Sequence, residues 1–109
     1  MSAIFLQGVQ PVIGFEQITV SSTSVGLTPA TFETFESTNN TRQQSKIATI
    51  TTENNSIRVR FDGTDPTSSV GHLITAGSAL ELQSIGQIRN LRMIRVTSDA
   101  IATVTYFGS

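Results

Sequence analysis

No stretch of this chain carries the apolar spacing of a long helix; its clearest pattern is strict alternation cut short by turn residues. The sharpest case is residues 57–82, IRVRFDGTDPTSSVGHLITAGSALEL. Ile57, Val59 and Phe61 alternate with Arg58 and Arg60, the period of a strand with one face buried and one wet. Asp62-Gly63 and then Asp65-Pro66 come at once after it. Glycine accepts positive φ, and proline fixes φ and lacks a backbone donor, so no strand can run through. Leu73-Ile74 and the pair Leu80/Leu82, parted by Ala76-Gly77-Ser78, read as two more short strands on a tight connection.

The remaining pattern is of the same kind. Ile18 and Val20, then Val25 and Leu27, flank Ser21-Ser22-Thr23-Ser24 as two short strands around a turn. After Pro29 the segment TFETFE is predicted to be a loop, although Phe32 and Phe35 are spaced for one helical turn and two strand fragments fit equally. Residues 37–45, STNNTRQQS, hold no apolar side chain and are expected to form an exposed loop. Ala48, Ile50 and Thr52 share one strand face, and Glu53-Asn54-Asn55-Ser56 supplies a hairpin turn into residues 57–61, since asparagine tolerates the left-handed region. Ile85 and Ile88 fit one turn of helix. LRMIRV at 91–96 is apolar on both faces, as a central strand is. Thr97-Ser98-Asp99-Ala100 makes a second hairpin turn, and Ile101, Thr103, Thr105 and Phe107 then lie opposite Ala102, Val104 and Tyr106. Eight to ten short strands with frequent turns predict an all-β domain, a β-sandwich of jelly-roll type, with an open barrel as the alternative.

Composition narrows the partners. With 109 residues the chain makes one core, and without cysteine it has neither disulfides nor a thiolate metal site. Charged residues are 14% of the chain, against about a quarter in an ordinary soluble domain, and the net charge is −1. Sixteen threonines and 13 serines must supply the polar surface. So weakly charged a surface repels its own copies poorly, which favours self-association or docking onto a larger assembly. Neither nucleic acid nor membrane is expected as a partner, and no run approaches the ~18 uninterrupted apolar residues of a membrane span. The apolar N-terminal segment, MSAIFLQGVQPVIGF, lacks the basic flank of a signal peptide and is broken by Gly8 and Pro11. Residues 1–15 are therefore expected as an arm or first strand ahead of a sandwich domain at 16–109, with Ile4, Phe5, Leu6 and Val9 as contacts to a neighbouring subunit or a larger assembly.

Candidate chemistry is sparse. His72 is the lone histidine, so a metal would need carboxylates gathered from Asp62 and Asp65, and no metal or other cofactor is expected. A Ser–His–Asp set could be written from Ser68 or Ser69, His72 and Asp62 or Asp65, but no strained elbow presents the serine and no oxyanion donors accompany it. Asp62, Gly63, Asp65, Pro66 and His72 are better read as one structural turn, with His72 hydrogen-bonded to a loop carbonyl. Arg58, Arg60, Arg89, Arg92 and Arg95 cluster in the C-terminal half without interleaved aromatics, which suits a solvated sheet face or subunit salt bridges.

The pattern DGTDPT at 62–67, VGH at 70–72, AGS at 76–78 and Leu80, followed by LRMIRV and ATVTYF, resembles a group of small virion-associated proteins of tailed bacteriophages, over residues 56–107. The resemblance implies a β-sandwich particle component, with no catalytic residue to carry over. The expected role is a capsid decoration or cement protein that binds the major capsid protein of the shell as a homo-oligomer, a trimer first. It would be made in the bacterial cytoplasm and end in the virion. A receptor- or glycan-binding module of a head or tail fibre is the alternative. With no tryptophan and one tyrosine, the chain has few rings on which a sugar could stack.

Overall fold

In the computed structural model, which describes residues 12–36 and 41–108, the alternation becomes two antiparallel sheets. In chain order the first elements are β1 (Val12–Val20), β2 (Val25–Gly26), α1 (Pro29–Phe32), β3 (Glu33–Glu36), β4 (Thr41–Glu53) and β5 (Ile57–Arg60). They are followed by β6 (His72–Ile74), β7 (Ala79–Leu82), α2 (Ile85–Asn90), β8 (Arg92–Arg95) and β9 (Ala100–Gly108). Sheet 1 runs β1-β9-β4, and β4 is long enough to pair β3 along residues 41–44 and β7 along residues 48–51. Sheet 2 runs β2-β8-β5-β6. The order 1-9-4-7 facing 2-8-5-6 is the wrapped arrangement of a jelly roll. Sandwich, not open barrel, is the architecture.

The core lies between the sheets. Strand β9 turns Ala100, Ala102, Val104 and Tyr106 fully inward, while Ile101, Thr103, Thr105 and Phe107 stay half-buried on the outer face. Ala48, Ile50 and Thr52 of β4 and Leu82 of β7 join that inner layer, and Ile57, Val59 and Met93 meet it from sheet 2. Each fully buried Val, Leu, Ile or Met contributes roughly 1.5–3 kcal/mol. Two alanines on the central strand keep the layers close without voids.

Four segments differ from the sequence expectation, each for a physical reason. Residues 53–56 and 97–100 turn the chain, and Asn54 does take a positive φ of 75°. Yet β4 and β5 lie in different sheets, as do β8 and β9, so both turns are corners between layers and not hairpins. The corners at 21–24, 53–56 and 96–99 are tied to one another: Arg95 N–H donates to Ser21 O (3.0 Å), Val96 N–H to Ser56 O (3.3 Å) and Asn55 Nδ2 to Asp99 O (2.8 Å). The TFETFE segment is α1 followed by β3, because Pro29 starts a helical turn that seats Phe32 in the core and β3 then pairs with β4. Residues 41–45 are strand despite their polarity; Ser45 is buried, and its hydroxyl lies within reach of Ile47 O (2.8 Å) and Phe107 O (3.0 Å) where the register shifts. Opposite it stands Gly108, where a Cβ would come within 2.3 Å of Gln44 O. The helical turn expected at Ile85 and Ile88 is α2, capped by the Ser84 hydroxyl, which accepts from Gln87 N–H.

One polar anchor ties β1 and β9 of sheet 1 to the start of α1. The Tyr106 hydroxyl donates to Glu16 Oε2 (2.5 Å), and Thr28 donates its hydroxyl to Oε1 (2.6 Å) and its N–H to Oε2 (3.2 Å). Phe32 packs on the Tyr106 ring, centroids 5.8 Å apart. Burial, with the Glu16 carboxylate beside it, holds the Tyr106 hydroxyl well above the usual tyrosine range. Below pH 10.0 folded and unfolded chains both keep this proton; above it the unfolded chain releases the proton first, so stability falls with rising pH. We expect that alkaline loss to approach about 1.4 kcal/mol per pH unit. Tyr106→Phe should cost about 1.5–3 kcal/mol at neutral pH and flatten the loss above pH 10.0. Urea unfolding across a pH series measures both effects, and Tyr106 is the only tyrosine that could contribute.

Candidate functional site

The loop between β5 and β6, residues 61–71, and the outer face of sheet 2 beside it gather most of the residues singled out in the sequence. Strand β5 stops at Arg60 because the next residues are committed to turns. Asp62 Oδ1 accepts from Thr64 N–H (3.3 Å), and Gly63 at φ 79° donates its N–H to Asn90 O at the end of α2 (3.1 Å). Pro66 is buried under the loop, and Asp65 Oδ1 accepts from the Ser24 hydroxyl (2.9 Å). Thr67 closes the tip: its hydroxyl accepts from Val70 N–H (3.0 Å). At φ 134°, Gly71 passes so near β5 that a Cβ would lie 3.0 Å from Val59 O and 3.2 Å from Pro66 Cβ. Arg58 staples the loop to its strand through Nε to Ser68 O (3.2 Å) and Nη1 to Gly71 O (2.9 Å). The half-buried arginine in an alternating strand thus acts as a loop clamp.

An open recess of about 350 Å³ is lined by Arg60, Phe61, Asp62 and His72. Arg60 grips Asp62 with two bonds, Nε to Oδ1 (3.1 Å) and Nη2 to Oδ2 (2.5 Å). Its guanidinium holds the Asp62 carboxyl below the usual carboxylate range. The bond from His72 to a loop carbonyl that the sequence suggests is not formed among the described residues. His72 is exposed and lies against Phe61, ring centroids 5.5 Å apart. The edge position of β6 explains this: His72 pairs with Val59 at the sheet margin, on the side away from the loop tip. Both carboxylates have other partners, Arg60 and Ser24, and no hydrogen bond joins His72 to Ser68, Ser69, Asp62 or Asp65 among the described residues. Nor do three or more His, Asp or Glu side chains stand together as a metal site among the described residues.

The proposed contact residues Ile4, Phe5, Leu6 and Val9 lie outside the described residues. The strand next in the chain, β1, presents apolar side chains to solvent. Val12 and Phe15 are 57% and 59% exposed on the outer face of sheet 1, and Val12 is in register with Phe107, which is in register with Ile47. This apolar row crosses β1, β9 and β4 on a face that also carries Thr19, Thr49, Thr51, Thr103 and Thr105, with Gln17, Ile101, Glu53 and Glu81 among them. Strand β1 runs unbroken through position 15/16, where the sequence suggested a boundary between arm and domain.

Sequence reasoning missed two features. Register sets Arg60 directly opposite Arg92, and Glu16 finds Tyr106 from 90 positions away. Local alternation held no signal for either. Compared with protein-family models, with curated proteins and with solved structures, the chain matches none of them.

Gly63→Val places a branched side chain at φ 79°, 3.5 Å from Asn90 Oδ1. A cost of about 1–3 kcal/mol is expected, read as a lower midpoint in thermal or urea unfolding. A midpoint equal to the parent's would show that the turn is unconstrained.

Proposed function

We propose that this protein is a structural component of a tailed-bacteriophage particle, a capsid decoration protein that binds the major capsid protein of the shell as a homo-oligomer. One observation carries the reading. The outer face of sheet 1 is rich in threonine, carries two carboxylates at Glu53 and Glu81, and bears an apolar row at Val12, Phe15, Ile47 and Phe107, at the end where the chain continues into Ile4, Phe5, Leu6 and Val9. Exposed apolar area on a weakly charged face is the physical requirement for stable docking on a copy or a shell. The motif resemblance over residues 56–107 supports the particle context, and jelly rolls are a common capsid architecture. Three copies are the expected number, since identical subunits close by rotation and a shell offers threefold positions.

A glycan-binding role has one observation in its favour, the recess with a ring, a carboxylate and a guanidinium at Phe61, Asp62 and Arg60. Phe61 packs partly against the core and against His72, which leaves little free ring for a sugar.

Deleting residues 2–10 should lower the oligomer toward monomer, with a cooperative melt retained, because residues 20–106 already supply two packed layers of buried apolar side chains. Light scattering on full-length and truncated chains at tens of micromolar, together with co-sedimentation on purified phage shells, reads both functions. A full-length monomer that also leaves shells bare refutes the proposal.

A further inference from the structure

Asp62-Gly63 is the one place in the chain where an aspartate or asparagine is followed by glycine, and such a pair is reactive in itself. No side chain on the glycine shields its nitrogen, which reaches the aspartyl Cγ readily when the backbone is free. The new N–Cγ bond closes a five-membered succinimide, and the hydroxyl of the protonated carboxyl leaves as water with the amide proton. Water then opens the ring. Breaking the N–Cγ bond restores aspartate; breaking the bond from nitrogen to the main-chain carbonyl carbon leaves isoaspartate, with the chain running through the Asp62 side chain. The water lost is regained, and no other reactant enters. Neither of the other aspartates has this combination: Asp65 precedes proline, which has no amide proton to release, and Asp99 precedes Ala100, whose methyl group hinders attack.

The fold ties down both partners in this reaction. Ring closure needs a protonated carboxyl, since a carboxylate oxygen does not leave, and a peptide unit free to turn its nitrogen toward Cγ. The Asp62 carboxylate instead takes three donors: Arg60 Nε (3.1 Å) and Thr64 N–H (3.3 Å) on Oδ1, and Arg60 Nη2 (2.5 Å) on Oδ2. All three favour the ionised form, and the Arg60 bonds above all lower the carboxyl's affinity for a proton. The nitrogen is held in another direction. Gly63 N–H donates to Asn90 O at the end of α2 (3.1 Å), which fixes the peptide plane between Asp62 and Gly63. Arg60 is anchored in its turn as the last residue of β5, in register with β8. Burial plays little part: the Asp62 side chain is 54% exposed and that of Arg60 33%, so the turn lasts only as long as these bonds do.

We propose that Asp62-Gly63 is a latent modification site: the Arg60 fork and the bond from Gly63 to Asn90 hold off succinimide formation while the loop is closed, and isoaspartate forms there once the loop opens. Isoaspartate adds one carbon to the main chain between Phe61 and Gly63 and leaves its carboxylate directly on Cα, so the turn cannot re-form its bonds as they were. The chemistry uses this turn alone and does not rest on the function proposed above.

The test incubates the full-length chain for weeks in mildly acidic buffer, folded and, in parallel, unfolded in guanidinium chloride. Isoaspartate at Asp62 is measured by peptide mapping with chromatographic separation of the isomers and by enzymatic methylation of isoaspartyl carboxylates. The folded parent should isomerise about tenfold or more slowly than the unfolded chain. Folded Arg60→Gln, which loses the fork and its charge, should isomerise several-fold faster than the folded parent, and Arg60→Lys, which keeps the charge without the fork, should also exceed it. Deamidation at Asn55, in the corner at 53–56, should stay at the parent's rate in both variants, which separates release of this turn from loosening of the whole fold. A folded parent that isomerises as fast as the unfolded chain overturns the proposal, as does an unfolded chain that forms no isoaspartate. So does an Arg60→Gln chain, or an Arg60→Lys chain where the first variant unfolds, that isomerises no faster than the parent. A gain at Asp62 matched by an equal gain at Asn55 overturns it as well.

Discussion

The fold depends on the burial of one face of β9. That strand pairs with β1 on one side and β4 on the other, and its inward row of Ala100, Ala102, Val104 and Tyr106 is the surface on which sheet 2 rests. The row is graded, small at one end and large at the other. Alanines let Ile57, Val59 and Met93 approach closely, whereas Tyr106 fills the far end with Phe32 packed on its ring. A phenol that large would be a liability in a dry layer if its hydroxyl had no partner. Glu16 answers that need from β1, and the same carboxylate takes two donors from Thr28 at the start of α1. Strand pairing, helix placement and core filling thus meet at one side chain.

Charge is used sparingly and mostly at the margins. Arg95 with Asp99 and Arg60 with Asp62 are exposed pairs at the ends of strands, and Arg89 with Glu33 joins α2 to β3. Surface pairs of this kind contribute little to stability, about 0–1 kcal/mol each, so their value is positional. They hold corners and loop ends in place. Threonine is frequent on the outer face of sheet 1, and arginine and aliphatic groups alternate on that of sheet 2, which the 61–71 loop partly roofs.

The loop at 61–71 illustrates how function-like residues can be structural. Asp62, Asp65, His72 and two serines within a few positions of one another could suggest chemistry on paper. In three dimensions the carboxylates are taken by Arg60 and Ser24, and His72 sits on an edge strand against Phe61. The residues that shape the loop are Gly63 and Gly71 at positive φ, buried Pro66, and the Arg58 clamp.

The alternation at 57–61, the strand stop at Asp62-Gly63, the inward set Ala48, Ile50 and Thr52, the α2 turn and the hydroxyl-rich surface were all legible in the residues themselves. Each is local: a period of two says which face of a strand is buried, and a turn residue sets its own backbone torsion. Pairing is not local. The same Glu53-Asn54-Asn55-Ser56 stretch could close a hairpin or carry the chain to the opposite layer, and only the simultaneous burial of every apolar face chose the corner. The strand at 41–45 exists because β3 and β9 satisfy its backbone, a partnership that its polar side chains do not announce. The opposition of Arg60 and Arg92 and the bond from Tyr106 to Glu16 likewise arise from register between strands far apart in the chain. Composition and periodicity decided that this chain would be all-β; the tertiary packing alone decided that it is a sandwich and which strands met, because pairing depends on burying every apolar face at once.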